Sequence, residues 1–162
     1  MGRKNAPFLV RVTGILEEDG ELLIIRQKMS DGRKWYLPGG QLEAGETIEQ
    51  GIVREMREET GLHVECKELL AISDTNFSAP CALHILLRVK RLAGAIHVPH
   101  CTYDTVEITD VQFVPFDMLK SYGFSDRFVS MVKDGFPLAS RYIGLDTFFD
   151  FLIRNMLSFI NS

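Results

Sequence analysis

The stretch WYLPGGQLEAGETIEQGIVREMREETGLHVE, residues 35–65, decides the fold because it holds a sharply bounded helix crowded with glutamate. It contains seven glutamates and only three arginine or histidine side chains. Like charges one turn apart destabilise a helix. The crowding therefore requires an explanation, which is either a solvated face with charged partners or a bound cation.

The helix has clear limits at both ends. Thr47 and Gln50 have the spacing of a capping box, in which a hydroxyl and an amide side chain satisfy backbone groups of the first turn. Gly61 suits the left-handed position just beyond the last turn. The spacing predicts a helix over residues 48–60. Its buried stripe is predicted to consist of Ile48, Ile52 and Met56.

Three carboxylates of this helix are predicted to converge. Glu55, Glu58 and Glu59 stand at i, i+3 and i+4, which places them on one surface about one turn long. A solvated face paired with Arg54 and Arg57 explains the same pattern.

Two neighbouring features favour a metal site over a solvated face. Gly51 is a costly residue inside a helix unless another group must approach closely. The turn at residues 38–40, Pro-Gly-Gly, offers permissive backbone whose carbonyl could join the carboxylates. Oxygen ligands suit Mg²⁺ or Mn²⁺ rather than zinc.

From Gly40 the chain reads glycine, five residues, Glu46, seven residues, and then REMREETGL over residues 54–62. This pattern resembles the box of the Nudix (MutT-like) hydrolases, G-x5-E-x7-R-E-U-x-E-E-x-G-U with U apolar, and every specified position is filled. The resemblance implies an α/β fold, an α/β/α sandwich around a mixed sheet. It also implies hydrolysis of a nucleoside diphosphate linked to another moiety, by attack of water on phosphorus.

The resemblance also implies roles for the residues of the box. It implies Mg²⁺ or Mn²⁺ held by Glu55, Glu58 and Glu59, with the Gly40 carbonyl as a further ligand. Arg54 is expected to hold Glu55 or Glu46 in place. Glu46 has two open roles, either pairing with Arg54 or helping at the metal.

The general base stays open between two kinds of residue, because some relatives use a glutamate of the box, such as Glu58, and others a carboxylate on a later loop. Glu107, just before the strand-like VQFVPF, resembles a catalytic glutamate of some members. An exposed loop acid explains it equally well. Asp104 and Asp110 are nearby competitors.

Substrate contacts are predicted for Arg26, which resembles a phosphate-contacting arginine of some relatives, and for the backbone of Gly39 and Gly40. The basic side chains near Arg26 are either phosphate ligands or a solvated hairpin surface. These neighbours are Lys28, Arg33 and Lys34.

Aromatic and histidine side chains are read mainly as structural. Trp35 and Tyr36 could stack on a base, although packing is favoured; Phe77 and Tyr103 are other stacking candidates. His97 and His100 lack a third metal ligand in the sequence, and His63 and His84 are expected to be ordinary strand residues.

The rest of the chain predicts a single domain, residues 1–162. FLVRVTGIL and ELLIIRQK form a hairpin through Asp19-Gly20, and ALHILLRVKRL and VQFVPF are further strands. Residues 121–162 are expected to be a C-terminal helical extension, because LDTFFDFLIRNMLSFI has helical spacing from Leu145 onward. Its apolar surplus predicts core packing or a homodimer contact.

Composition excludes several classes of protein. With 162 residues, 46% hydrophobic residues and a formal charge of −4, the chain is expected to be globular and to bind neither nucleic acid nor a membrane. Its three cysteines fit neither a disulfide framework nor a zinc site, so a cytoplasmic location is expected. The expected partner is a nucleotide-derived small molecule. The alternative function is a nucleotide sensor that binds without turnover.

Overall fold

A computed structural model describes residues 8–29, 32–75, 81–100, 106–137 and 141–148. In these ranges the helical elements are α1 Ile48–Thr60, α2 Asp126–Lys133 and a 3₁₀ helix at Phe116–Tyr122. The strands are β1 Phe8–Ile15, β2 Glu17–Glu18, β3 Glu21–Met29, β4 Gly32–Tyr36, β5 Gly39–Gln41, β6 His63–Thr75, β7 Cys81–Ala93, β8 Ile108–Pro115 and β9 Tyr142–Leu145.

The strands form two sheets, and one of them is mixed. The larger sheet has the order β5-β1-β7-β6-β9, with β1 parallel to β7 and β6 parallel to β9. In the smaller sheet β3 pairs antiparallel with β8 and, on its other edge, with β2 and then β4. The expected tight turn at Asp19 and Gly20 is confirmed, because β2 turns into β3 there with both residues at positive φ. The expected pairing of FLVRVTGIL with ELLIIRQK is wrong, since β1 lies in the larger sheet beside β5 and β7, and the short strand β2 pairs with β3 instead.

Successive side chains along a strand pack into two separate hydrophobic cores. In β3, Leu22 and Ile24 join the core under α2, whereas Leu23 and Ile25 join the core under α1. Because successive strand side chains point to opposite faces, the two helices cover opposite sides of the sheet layer. The predicted α/β/α arrangement around a mixed sheet is confirmed.

The prediction for helix α1 is confirmed at both ends. The Thr47 hydroxyl and the Gln50 side chain form the reciprocal capping box, and Gly61 takes the left-handed position with φ 79°. Ile52 and Met56 are fully buried. Ile48 is wrong as a member of the buried stripe, since it is 40% exposed: it is the first helical residue, and burial of this face begins one turn later.

The described part of the predicted helical extension, residues 121–162, contains helix α2 but also a strand that was not predicted. Residues 142–145 form β9 beside β6, so Leu145 belongs to a strand rather than to a helix. The rest of the predicted stripe, residues 149–160, lies outside the described residues. No helix in the described ranges is both long and apolar enough to cross a bilayer.

A buried polar chain ties the segment after β9 to the sheet. Nδ1 of His84 lies 2.8 Å from Oδ2 of Asp146, and Nε2 lies 2.5 Å from the hydroxyl of Thr13. A carboxylate only accepts, so Nδ1 donates to Asp146, and the Thr13 hydroxyl is the hydrogen-bond partner of Nε2. The other Asp146 oxygen accepts from the backbone N–H of Phe148 at 3.0 Å. All three polar side chains are buried.

We predict that Asp146→Ala lowers the free energy of unfolding by about 2 to 4 kcal/mol, because it leaves buried donors of His84 and Phe148 unsatisfied. Urea unfolding at pH 7 measures this effect. Asp117→Ala is the matched control, since its carboxylate is 86% exposed and its pair with Lys133 is worth under about 1 kcal/mol. Equal losses in the two variants would contradict a structural role for the buried chain.

Candidate active site

The carboxylate face of α1 lies against the turn that leads into β5. Gly40 is buried, and a Cβ built on it would lie 2.5 Å from Oε1 of Glu55. Gly39 has φ 145°, which favours glycine, and its backbone N–H donates to Oε2 of Glu59 at 2.6 Å. The Pro-Gly-Gly turn therefore brings backbone into direct contact with two of the three predicted ligands.

A close approach to Gly51 explains the glycine within the helix. A Cβ at this position would overlap the side chain of Leu42 and lie 3.3 Å from Oε2 of Glu46. The missing side chain thus lets the segment before the helix pack directly on it. This close packing brings Glu46 to the same side of α1 as the other carboxylates.

Arg54 is the centre of the charged cluster. Its Nε and Nη2 donate to the two oxygens of Glu46 at 2.7 and 3.0 Å, a bidentate pair. Its Nη1 donates to Oε1 of Glu55 at 2.8 Å and to Oε2 of Glu58 at 3.1 Å. Nη2 also donates to the Gln41 carbonyl at 3.1 Å. Arg54 contacts both of the partners expected for it, Glu46 and Glu55, and Glu58 as well.

The cluster changes the proton affinities of its members. The hydrogen bond to Glu46 is the main cause that raises the pKa of Arg54 further above its ordinary value. The same hydrogen bond, aided by the Glu43 backbone N–H, lowers the pKa of Glu46 from 4.5 to about 2. Both side chains are therefore charged at neutral pH.

The oxygen donors of this site are of the type that binds a hard divalent cation. Glu55 and Glu59 are buried carboxylates, Glu58 is partly exposed, and Gly40 lacks the side chain that would separate its backbone from Glu55. No three acidic, histidine or cysteine side chains of the described residues already converge on one point. Arg54 bridges Glu55 and Glu58 instead, and thereby supplies the positive charge that a metal ion would supply.

Glu107 lies immediately before β8, next to β3. Its carboxylate pairs with Nζ of Lys28 at 3.1 Å, and its carbonyl accepts from the Lys28 backbone N–H at 2.9 Å. Both side chains are more than half exposed. The exposure leaves the carboxylate accessible to water and to a substrate.

Arg26 lies on β3 opposite Trp35 of β4 and Asp110 of β8. Its guanidinium carbon is 5.6 Å from the Trp35 ring centroid, and its buried Nε has no hydrogen-bond partner among the described residues. Trp35 packs edge-on against Tyr122 at 5.2 Å, and Tyr36 packs against both cores. The packing predicted for Trp35 and Tyr36 is confirmed.

The structure brings together three histidines that the sequence did not connect. His63, His97 and His100 line one cavity beside α1, which we term the outer cavity. The local HVPH spacing gave no sign of His63, which lies 34 residues before His97. His84 lies in β7, as expected of a strand residue, but in the buried chain with Asp146.

Several predicted residues fall outside the described part. Phe77, Tyr103 and Asp104 lie in ranges that the structure does not describe, as does the side chain of Arg33.

Comparison with known proteins gives a family match over most of the chain. The sequence profile of the NUDIX domain matches residues 7–132. Human 8-oxo-dGDP phosphatase NUDT18 is 42% identical over 72 residues, which cover 44% of this chain and 22% of that protein. An ADP-ribose pyrophosphatase of Methanocaldococcus jannaschii is 45% identical over 64 residues, covering 39% of this chain and 38% of that protein. The chain therefore spans well under half the length of these two relatives.

Solved structures agree with the fold. A crystal structure of a UDP-X diphosphatase superposes with a TM-score of 0.64 at 26% identity, over 87% of this chain and 68% of the other. The solution structure of the E. coli ORF135 protein matches with a TM-score of 0.65 at 21% identity, over 82% of this chain and 91% of the other, and supports the fold alone.

We predict that the stability lost in Glu46→Gln depends on pH. Because folding lowers the pKa of Glu46 from 4.5 to about 2, its carboxylate stabilises the fold above pH 4.5, and this stabilisation disappears as the pH falls toward 2. The difference in unfolding free energy between wild type and variant should be largest at pH 6–7 and shrink below about pH 4. Urea unfolding at several pH values measures it.

The matched control for this titration is Glu43→Gln, whose 70% exposed carboxylate lies 4.0 Å from Nε of Arg54. It should show a small loss that varies little with pH. A Glu46→Gln loss that is the same at pH 3 and pH 7 would contradict the predicted charge pairing.

Proposed function

The chain belongs to the Nudix family, and from this premise we propose that it hydrolyses the diphosphate bond of a nucleoside diphosphate linked to another moiety. The observation that carries the proposal is that Arg54 bridges Glu55 and Glu58, while the Gly39 backbone N–H holds Glu59 and Gly40 lies directly against Glu55. Such a set of oxygen donors suits an anionic substrate that arrives with divalent cations.

We propose that Glu55, Glu58, Glu59 and the Gly40 carbonyl hold Mg²⁺ or Mn²⁺. When bound, the metal would neutralise the diphosphate and activate water. Glu59 is already oriented by the Gly39 backbone N–H, and Glu55 is oriented by Arg54. Glu58 is the most exposed of the three carboxylates and the candidate from the box for taking the proton of the attacking water.

Arg54 is proposed as a positioning residue rather than as a substrate ligand. Its guanidinium is 21% exposed and is held by Glu46 through two hydrogen bonds. This anchor fixes the group that faces Glu55 and Glu58. Glu46 is accordingly proposed to support Arg54 rather than to bind metal.

Glu107 is proposed as the second candidate for the general base, since its carboxylate is exposed immediately before β8. Arg26 is proposed to contact a substrate phosphate, because its position on β3 resembles that of a phosphate-contacting arginine in some relatives.

The names of the relatives support a diphosphate as the common element of the substrate. They refer to 8-oxo-dGDP, ADP-ribose and UDP-X, which share only a nucleoside diphosphate portion. Nucleoside triphosphates, ADP-ribose, sugar nucleotides and dinucleoside polyphosphates all contain the bond in question. A cytoplasmic location and a homodimer remain further proposals; a monomeric mass in solution would contradict the dimer.

We predict that wild-type protein releases product from one of these substrate classes with Mg²⁺ and not with EDTA. Glu58→Gln should lower kcat by about a hundredfold or more, because it removes a charged ligand or base. Product analysis by chromatography measures both. Glu49→Gln is the matched control, an exposed glutamate of the same helix, and should stay near wild type. Binding without release by the wild type would instead support a nucleotide sensor.

We predict that Glu107→Gln lowers kcat at least about tenfold if it is the base, while stability stays within about 1 kcal/mol because its pair with Lys28 is exposed. Steady-state kinetics and urea unfolding measure the two effects. An unchanged pH profile and rate would assign the proton transfer to the box instead.

A further inference from the structure

The outer cavity lies beside the carboxylate cluster and is large enough for a ligand. Its volume is about 690 Å³, within the range of small-molecule sites. Arg54 and Glu58 form its border with the cluster, and Val53 and Pro99 give it an apolar part. A ligand bound at the carboxylates could therefore extend directly into the outer cavity.

Side chains that contain nitrogen are concentrated on one wall of the cavity. Arg57 lines it together with His63, His97 and His100. Arg54, one turn earlier, contacts three glutamates, whereas none of the described carboxylates pairs with Arg57. An arginine without a carboxylate partner, facing a concave surface beside three imidazoles, is well suited to a phosphate group.

The histidine side of the cavity is fixed to the end of α1. The backbone N–H of His97 donates to the Thr60 carbonyl at 3.1 Å. Gly94 lies so close to Gly61 that a Cβ on it would be 2.6 Å from the Gly61 carbonyl oxygen. The segment with His97 and His100 is thus seated on the same helix that carries Arg57.

We propose that the outer cavity binds a phosphoryl group of the substrate beyond the two that the carboxylate cluster serves. This inference rests on the proposed function. It selects, among the substrate classes, those with a third phosphate, namely nucleoside triphosphates and dinucleoside polyphosphates over ADP-ribose and sugar nucleotides. Arg57 and His63 occupy positions that the box leaves unspecified or does not include, so membership of the family does not by itself imply this site.

The first experiment titrates inorganic phosphate into metal-free protein with EDTA and follows the imidazole signals by NMR. The chain has four histidines, of which three line the cavity, while buried His84 is an internal reference. The signals of the three should shift saturably and that of His84 should not. Arg57→Gln should weaken the apparent affinity about tenfold, whereas Arg127→Gln, on α2, should leave it unchanged.

Shifts that do not saturate, or that are equal in both variants, would overturn the site. This binding arm does not depend on catalysis, so it is informative even if no hydrolysis is found.

The second experiment compares kcat/KM for a nucleoside triphosphate and for ADP-ribose. Wild type should prefer the triphosphate, and Arg57→Gln should lower its kcat/KM about tenfold while lowering that for ADP-ribose less than about twofold. Equal losses for the two substrates would overturn the selectivity and leave the proposed hydrolysis intact.

Discussion

The buried charge of Glu55 is the constraint on which the architecture of the site depends. Its carboxylate is almost fully shielded from water, and an isolated charge there would be very unfavourable. Arg54 compensates it, and Arg54 is in turn held by Glu46 through a bidentate contact. That contact requires the segment before α1 to pack closely on the helix, which the absence of a side chain at Gly51 allows. The need to compensate the charge of Glu55 thus constrains how the segment before α1 packs on the helix.

The local parts of this arrangement could be predicted from the sequence. The limits of α1 follow from Thr47, Gln50 and Gly61, because capping depends on hydrogen bonds between residues that are close in sequence. The long-range parts could not. Thr13 and His84 are 71 residues apart, and periodicity contains no information on which strands become neighbours. For the same reason the sequence did not predict that His63 and His97 line the same cavity. It also did not predict β9, whose pairing with β6 outweighs the helical spacing that begins at Leu145.

The two sides of α1 differ in how easily their residues can be replaced. Residues that face the sheet, such as Glu55 and Glu59, are bound to buried partners and to the Gly39-Gly40 backbone, so little can change there. The outward side carries Val53 and Arg57, both exposed, with the 94–100 segment next to them. Substitutions on the outer side of the helix can therefore change its surface without disturbing the carboxylates on the inner side.

The parallel pairing of β1 with β7 also has a consequence for how the protein is made. Phe8 lies opposite Cys81, and Ile15 lies opposite Arg88, so the central pair of the larger sheet joins segments 73 residues apart. During synthesis β1 can pair early with β5, but its pairing with β7 must wait until β7 has been made, by which time α1 is complete and the sheet is not. Ile52 and Met56 of α1 belong to the core that also contains Ile85, Leu87 and Val89 of β7, so their full burial requires that late strand.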